Sequence, residues 1–362
     1  MKKYFSQLKY RNFNRLQTKK SNTRRSRRLS RDHRISKRNF GAAPKKEARH
    51  HRKGGYKEII APQNFTLVGN PNPEEVVQVI NKLKYFLDKK RKVFVVLRHI
   101  TKIDTDAIVV LLAAIVRFKA LNVDFNGDFP DSWECKKTLE ESGFFQVLFK
   151  EKFKDKPSYL LKSNTLMTHA SRAVDSARTA KIIENAAITV WGEPLRCQGV
   201  QTTFLELMQN TLNHASLEKE GEKHWWLSVK HEPENKKVRF AFVDYGVGVF
   251  TSLENKPSNN KFYGAITKMW EKFRYGDNAE LLRLILNGEL HKTITNEYFR
   301  GQGLPGMIDS LEENWFSNLH IITNNVYANV GRNTYKLMNL SFGGTFLYWE
   351  IGASNRNFPM TR

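Results

Sequence analysis

Three short segments in the second half of the chain hold residue types that do chemistry when brought together. Glu206, Asn210 and His214 recur at four-residue spacing, so on a helix they stack along one face, with Phe204, Leu205, Met208 and Leu212 on the other side. The file supplies a carboxylate and a carboxamide one helical turn apart. The same file also reads as a solvated stripe, or as a metal site with only two good ligands. Asp244-Tyr-Gly246-Val-Gly248 sets an acceptor carboxylate in a glycine turn, where backbone can approach a ligand closely; the plainer reading is a strand-ending turn. Arg300-Gly301-Gln-Gly303-Leu304 opens a helix, and glycine-rich backbone at a helix N-terminus presents N–H groups to phosphate.

The elements that must position these residues are legible in outline. A helix over Asp175–Ala187 and a second over Gln201–Leu217 precede two alternating runs, Trp225–His231 and Lys237–Val243, which read as an antiparallel hairpin ending at Asp244. Residues 251–299 are polar and charge-mixed, too long for a passive connection, with short helices over Phe262–Phe273 and Ala279–Leu286. A helix over Met307–Glu312 and strands over His320–Thr323, Tyr335–Asn339 and Thr345–Ile351 complete the sheet. Upstream, strand and helix alternate. Lys57–Val68 reads as an extended pair or hairpin broken by Pro62. An acid-started helix follows from Asn72, with Val76, Val77, Ile80, Leu83 and Leu87 on one side. Then come a buried strand over Lys92–Leu97, an apolar helix over Ala107–Lys119, a short strand over Val123–Phe125 and a helix capped by Ser132.

In motif order and spacing, residues 175–352 resemble the GHKL ATPases: the gyrase B subunit, histidine-kinase catalytic domains and the anti-sigma serine kinases. The resemblance implies a Bergerat α/β sandwich that binds ATP and Mg²⁺. It implies Glu206 as the general base, Asn210 as the Mg²⁺ ligand and Asp244 on the adenine amino group. It further implies Gly246 and Gly248 shaping the pocket, Gly301 and Gly303 cradling phosphates, Thr345 flanking the base, and residues 251–299 as the ATP lid. Arg300 and His214 are candidates to meet the phosphates; a surface arginine and a satisfied buried histidine are the alternatives. Residues 56–149 resemble STAS domains, the anti-sigma antagonist fold. There Asp104-Thr105-Asp106-Ala107 stands at the Asp-Ser-Ser-Gly type loop and departs from it at three positions. Thr105 is thus a possible phosphosite, and otherwise a helix-capping residue.

The expected architecture is α+β: a disordered basic arm (1–55), a STAS-like domain (56–149), a linker (150–174), a GHKL-like domain (175–352) and a tail (353–362). The chain has 362 residues and net charge +24, and residues 1–53 hold 20 Lys or Arg against Asp32 and Glu47. That arm, centred on Arg24, Arg25, Arg27, Arg28 and Arg31, suits a polyanion, so nucleic acid or a ribonucleoprotein is the expected partner. A protein partner is expected at the lid or the STAS-like domain. The longest apolar run, Ala107–Val116, is about half a bilayer span, no apolar signal region follows the basic start, and Cys135 and Cys197 show no metal spacing. No membrane partner and a cytoplasmic location are expected.

The activity expected is a nucleotide-gated binding module. One alternative is a serine/threonine kinase of anti-sigma type acting on a STAS-type partner. Another is the ATPase of a nucleic-acid-directed defence or mobile-element complex. Docking of the STAS-like unit on the lid would link the two parts. His169-Ala-Ser-Arg172 lacks the acid that follows a histidine-kinase phosphoacceptor.

Overall fold

A computed structural model describes residues 55–148, 165–170, 176–214, 225–246, 248–250, 278–288 and 304–355, without the side chains of 165–170, 198, 210, 212–214 and 305. The basic arm up to residue 54, most of the lid, Arg300, Gly301, Gly303 and the last seven residues of the tail lie outside the described residues.

The described residues between 56 and 355 form mixed α and β structure. The N-terminal lobe holds β1 (Lys57–Ile60), β2 (Asn64–Phe65), α1 (Glu74–Asp88), β3 (Val93–Val96), β4 (Lys102–Ile103), α2 (Thr105–Ala120), β5 (Phe125–Gly127), α3 (Trp133–Glu141) and α4 (Phe144–Leu148). Acidic Glu74 and Glu75 favour the start of α1, which buries Val76, Val77, Ile80, Leu83 and Leu87 as the apolar spacing requires. Ser132 caps α3 by accepting from the Cys135 N–H. The expected hairpin over 57–68 does not form. β1 pairs in parallel with β3, which pairs with β5, and β2 pairs in parallel with β4. Ile59 and Phe65 each need a buried partner strand, and the crossover through α1 supplies it.

In the C-terminal lobe, β6 (Thr165–Ala170) precedes α5 (Ser176–Trp191) and α6 (Gln198–His214). β7 (Trp225–Glu232) and β8 (Lys237–Asp244) form the expected hairpin, around a 3₁₀ turn whose exit residue Lys236 is left-handed. α7 (Asn278–Leu286), α8 (Leu304–Glu312), β9 (Ser317–Asn329) and β10 (Thr334–Gly352) follow. Together they make an antiparallel sheet in the order β6-β7-β8-β10-β9. β6 occupies what reads as linker in the sequence. The two expected last strands are one long strand, because register shifts around Phe342 absorb the glycine pair Gly343-Gly344.

Both faces of this sheet are covered. Trp225, Leu227, Phe240, Phe242, Leu347 and Trp349 pack with α5, α6, α7 and α8. Trp226, Ala241, Val243, Phe346 and Tyr348 belong to the same core as α1 and α2. α2 is apolar all round because it lies inside this layered stack. The N-terminal lobe packs on the sheet face opposite α5 and α6, and its expected docking on the lid involves segments mostly outside the described residues.

A charged cluster fixes that packing. Asp104 caps α2 and accepts from Lys230 Nζ at 3.0 Å and Arg239 Nη1 at 3.0 Å. Arg239 also meets Glu232 at 3.3 Å and Glu350 at 3.7 Å, and Lys237 meets Glu350 at 2.9 Å. Burial pushes the Asp104 carboxyl up, but Lys230, the Thr105 N–H and Arg239 outweigh it and hold the group below its usual value. Its contribution is therefore present at neutral pH and lost as pH falls through the depressed value. Next to it, Asp106 accepts from the Leu67, Val68 and Ala107 N–H groups. Burial and the Asp104 charge push that carboxyl up to about 7, so stability drains as pH rises through that value. Asp104→Ala leaves Arg239 and Lys230 facing the interface with one acceptor fewer. It is expected to cost about 2 kcal/mol in denaturant melts, between an exposed pair and a buried one.

Candidate functional site

Successive residues of a strand point to opposite faces. At the end of β8 this sends Asp244 towards the helical layer and Tyr245 towards the N-terminal lobe. Asp244 pairs with Trp225 on one side and Thr345 on the other. Its Oδ1 accepts the Gly246 N–H at 2.8 Å, and the carboxyl also accepts the N–H and hydroxyl of Thr345. The group is half-buried, and burial pushes it up to about 6 against these donors.

The glycines around it have separate reasons. A Cβ at Gly246 would stand 2.9 Å from Asp244 Oδ1, so glycine lets the backbone N–H reach that oxygen without crowding it. Gly344 has φ +134, and a Cβ there would overlap the Asp244 carbonyl oxygen. Gly248 has φ +80, and a Cβ there would overlap the Asn324 carboxamide. Asn324 and its neighbour Thr323, on β9, hold this turn. Thr323 Oγ1 accepts the Val249 N–H at 3.0 Å, and Asn324 Oδ1 accepts the Phe250 N–H at 3.2 Å. Sequence reasoning passed over both. Asn324 is left-handed (φ 48), a conformation asparagine tolerates, so an asparagine at a strand irregularity was the available signal.

α6 lies on the Asp244 side of the sheet. Its Phe204 ring meets Phe240 at 5.6 Å and Trp349 at 5.0 Å, and Met208 is buried beside it, while Leu205 is half-buried. Glu206 is half-buried on α6. Asn210 and His214 continue the helix, their side chains outside the described residues. α8, which follows Gly301 and Gly303, packs beside α6 through Thr203 Oγ1 and Ser310 Oγ at 3.4 Å. Asp244, Gly246, Gly248 and Thr345 thus form one cluster, and α6 and α8 share its layer.

Thr105 sits elsewhere. It is 5% exposed, and its hydroxyl lies 3.3 Å from Asp104 Oδ1, beside the carboxylate that Lys230 and Arg239 meet. Arg24, Arg25, Arg27, Arg28 and Arg31 lie outside the described residues. A surface groove of about 550 Å³ runs between β1, α1 and Leu340, and none of the expected site residues lines it. Among the described residues no helix is long and apolar enough to cross a membrane.

Compared with known proteins, the chain matches no family model, and no curated protein matches it. The geometry of the Asp244 turn carries the functional reading. Gly344→Ala should cost on the order of 3 kcal/mol or more in stability, because it adds backbone strain and a backbone overlap together; thermal melts of the variant measure it.

Proposed function

We propose that the C-terminal lobe is a GHKL-type module that binds Mg-ATP, and that the nucleotide orders the lid on either side of α7, which is itself packed in the core, to gate a protein partner. The N-terminal lobe is read as STAS-like, and the basic arm as a nucleic-acid contact. The observation that carries the reading is the Asp244 turn. Its carboxyl is desolvated, braced by Thr345 and the Gly246 N–H, and carried on a half-buried residue. That is an acceptor built for a ligand N–H, such as the adenine amino group. Beside it on the same face, the Trp225 indole N–H is buried with no acceptor among the described residues.

Asn210 would hold Mg²⁺, since this ion usually takes one or two protein oxygens and completes its shell with phosphate and water. Bound there, it would neutralise phosphate charge. Glu206, one helical turn earlier, would orient or deprotonate the attacking hydroxyl. Gly301 and Gly303 would donate backbone N–H groups to phosphate at the start of α8, with adjoining Arg300, and His214 one turn beyond Asn210 on α6, as further phosphate contacts.

The ionised Asp244 is the form that accepts. Its pKa is raised to about 6, so affinity for ATP is expected to rise with pH through that value and to be roughly tenfold weaker at pH 5 than at pH 7. Asp244→Asn should weaken binding by about 10- to 100-fold, the worth of a charge-assisted hydrogen bond, and flatten the pH profile. Calorimetric titrations between pH 5 and 8 read both; unchanged affinity in Asp244→Asn contradicts the site. For the arm, removing residues 1–55 should abolish DNA or RNA binding that weakens steeply with salt, as filter binding at several salt concentrations would report.

A further inference from the structure

We propose that Tyr245 is a positioning residue of the nucleotide site, and that through it the N-terminal lobe sets the affinity of that site. The inference rests on the reading of Asp244 as the adenine acceptor. Tyr245 is the residue between Asp244 and Gly246, and it points away from the ligand side of the sheet. Its hydroxyl donates to the Val110 carbonyl in the middle of α2 at 2.7 Å. Its ring leans on Phe342 at 5.9 Å, and the Arg117 guanidinium of α2 lies 5.8 Å over it. Burial keeps the phenol protonated throughout the physiological range, so it remains a donor.

The second wall of the site is held from the same lobe. Asn81 of α1 donates to the Ser341 carbonyl at 2.9 Å. Glu74 of α1 accepts from the Asn339 N–H at 3.1 Å. Lys84 Nζ sits over Gly343, where a Cβ would be 3.0 Å away. This stretch runs directly into Gly344 and Thr345, whose N–H and hydroxyl brace the Asp244 carboxyl. Two helices of one lobe therefore grip both segments that converge on Asp244, from the face opposite the ligand. The Lys230–Asp104–Arg239 bridges fix where α2 sits on that face. Displacing α1 or α2 moves the carboxyl or its donors. By linkage, nucleotide bound at Asp244 must tighten the grip in return.

The test uses the full chain, with Mg-ATP titrated into the wild type, Tyr245→Phe and Asn81→Ala, together with amide hydrogen exchange with and without ATP. Tyr245→Phe deletes a single hydroxyl; Asn81→Ala alters an exposed contact, so it reports on the second segment whatever the first variant does to folding. Each is expected to weaken ATP binding about 3- to 10-fold, the worth of one hydrogen bond. Tyr245→Phe should also move the pH midpoint of binding away from that of the wild type. In the wild type ATP should slow exchange in α1 and α2, and the variants should reduce that protection. Wild-type affinity and midpoint in both variants, or no effect of ATP on α1 and α2, overturns the proposal while leaving the nucleotide reading intact. Wild-type protein that binds no ATP at all refutes the nucleotide reading itself and this proposal with it.

Discussion

The pleat of β8 is the constraint on which the rest depends. Because neighbouring strand residues face opposite ways, a single strand end commits Asp244 to the helical layer and Tyr245 to the N-terminal lobe. A one-residue slip in register would exchange them and bring Arg239 into the space of Phe240 and Trp349, whose rings stack at 5.3 Å. The aromatic stack on one face and the charged cluster on the other thus enforce the same register. The geometry around Asp244 follows from it.

The charged cluster contributes orientation more than net stability. Removing Asp104, Lys230, Arg239 and Glu350 from water costs much of what their attraction returns. An apolar interface alone would let α2 slide over the sheet. The pairing of one helix-capping carboxylate with two strand cations allows few positions. It also explains the composition of the second face. The outer ends of β7 and β8 read as polar because they meet Asp104, and their inner parts read as apolar because they meet α2.

Much of this was legible where the signal is local. The alternation of 225–231 and 237–243, the cap at Ser132, the apolar face of α1 and the uniformly apolar α2 all depend on neighbours within a few residues. So does the Asp244 turn, which its glycines announce. What escaped was set by distant partners. The parallel pairing of β1 with β3 requires a crossover, and a hairpin is the shorter-range reading of the same residues. β10 continues through Gly343-Gly344 because β9 and β8 pair on either side of the irregularity. Asp104 lies 126 and 135 positions from its two cations, and nothing near it in sequence marks them as its partners. Thr323 reads as the end of a strand and Asn324 as the residue just beyond it until Gly248 folds against them.

The central claim is that this turn reads an adenine amino group. The most direct measurement is calorimetric titration of the full chain with ATP, ADP and GTP in the presence of Mg²⁺ at pH 7.5. Guanine presents a carbonyl where adenine presents its amino group, and a carboxylate repels it. The account expects saturable binding of ATP and ADP, with GTP weaker by at least an order of magnitude. Equal affinity for GTP, or no heat with any of the three, contradicts it.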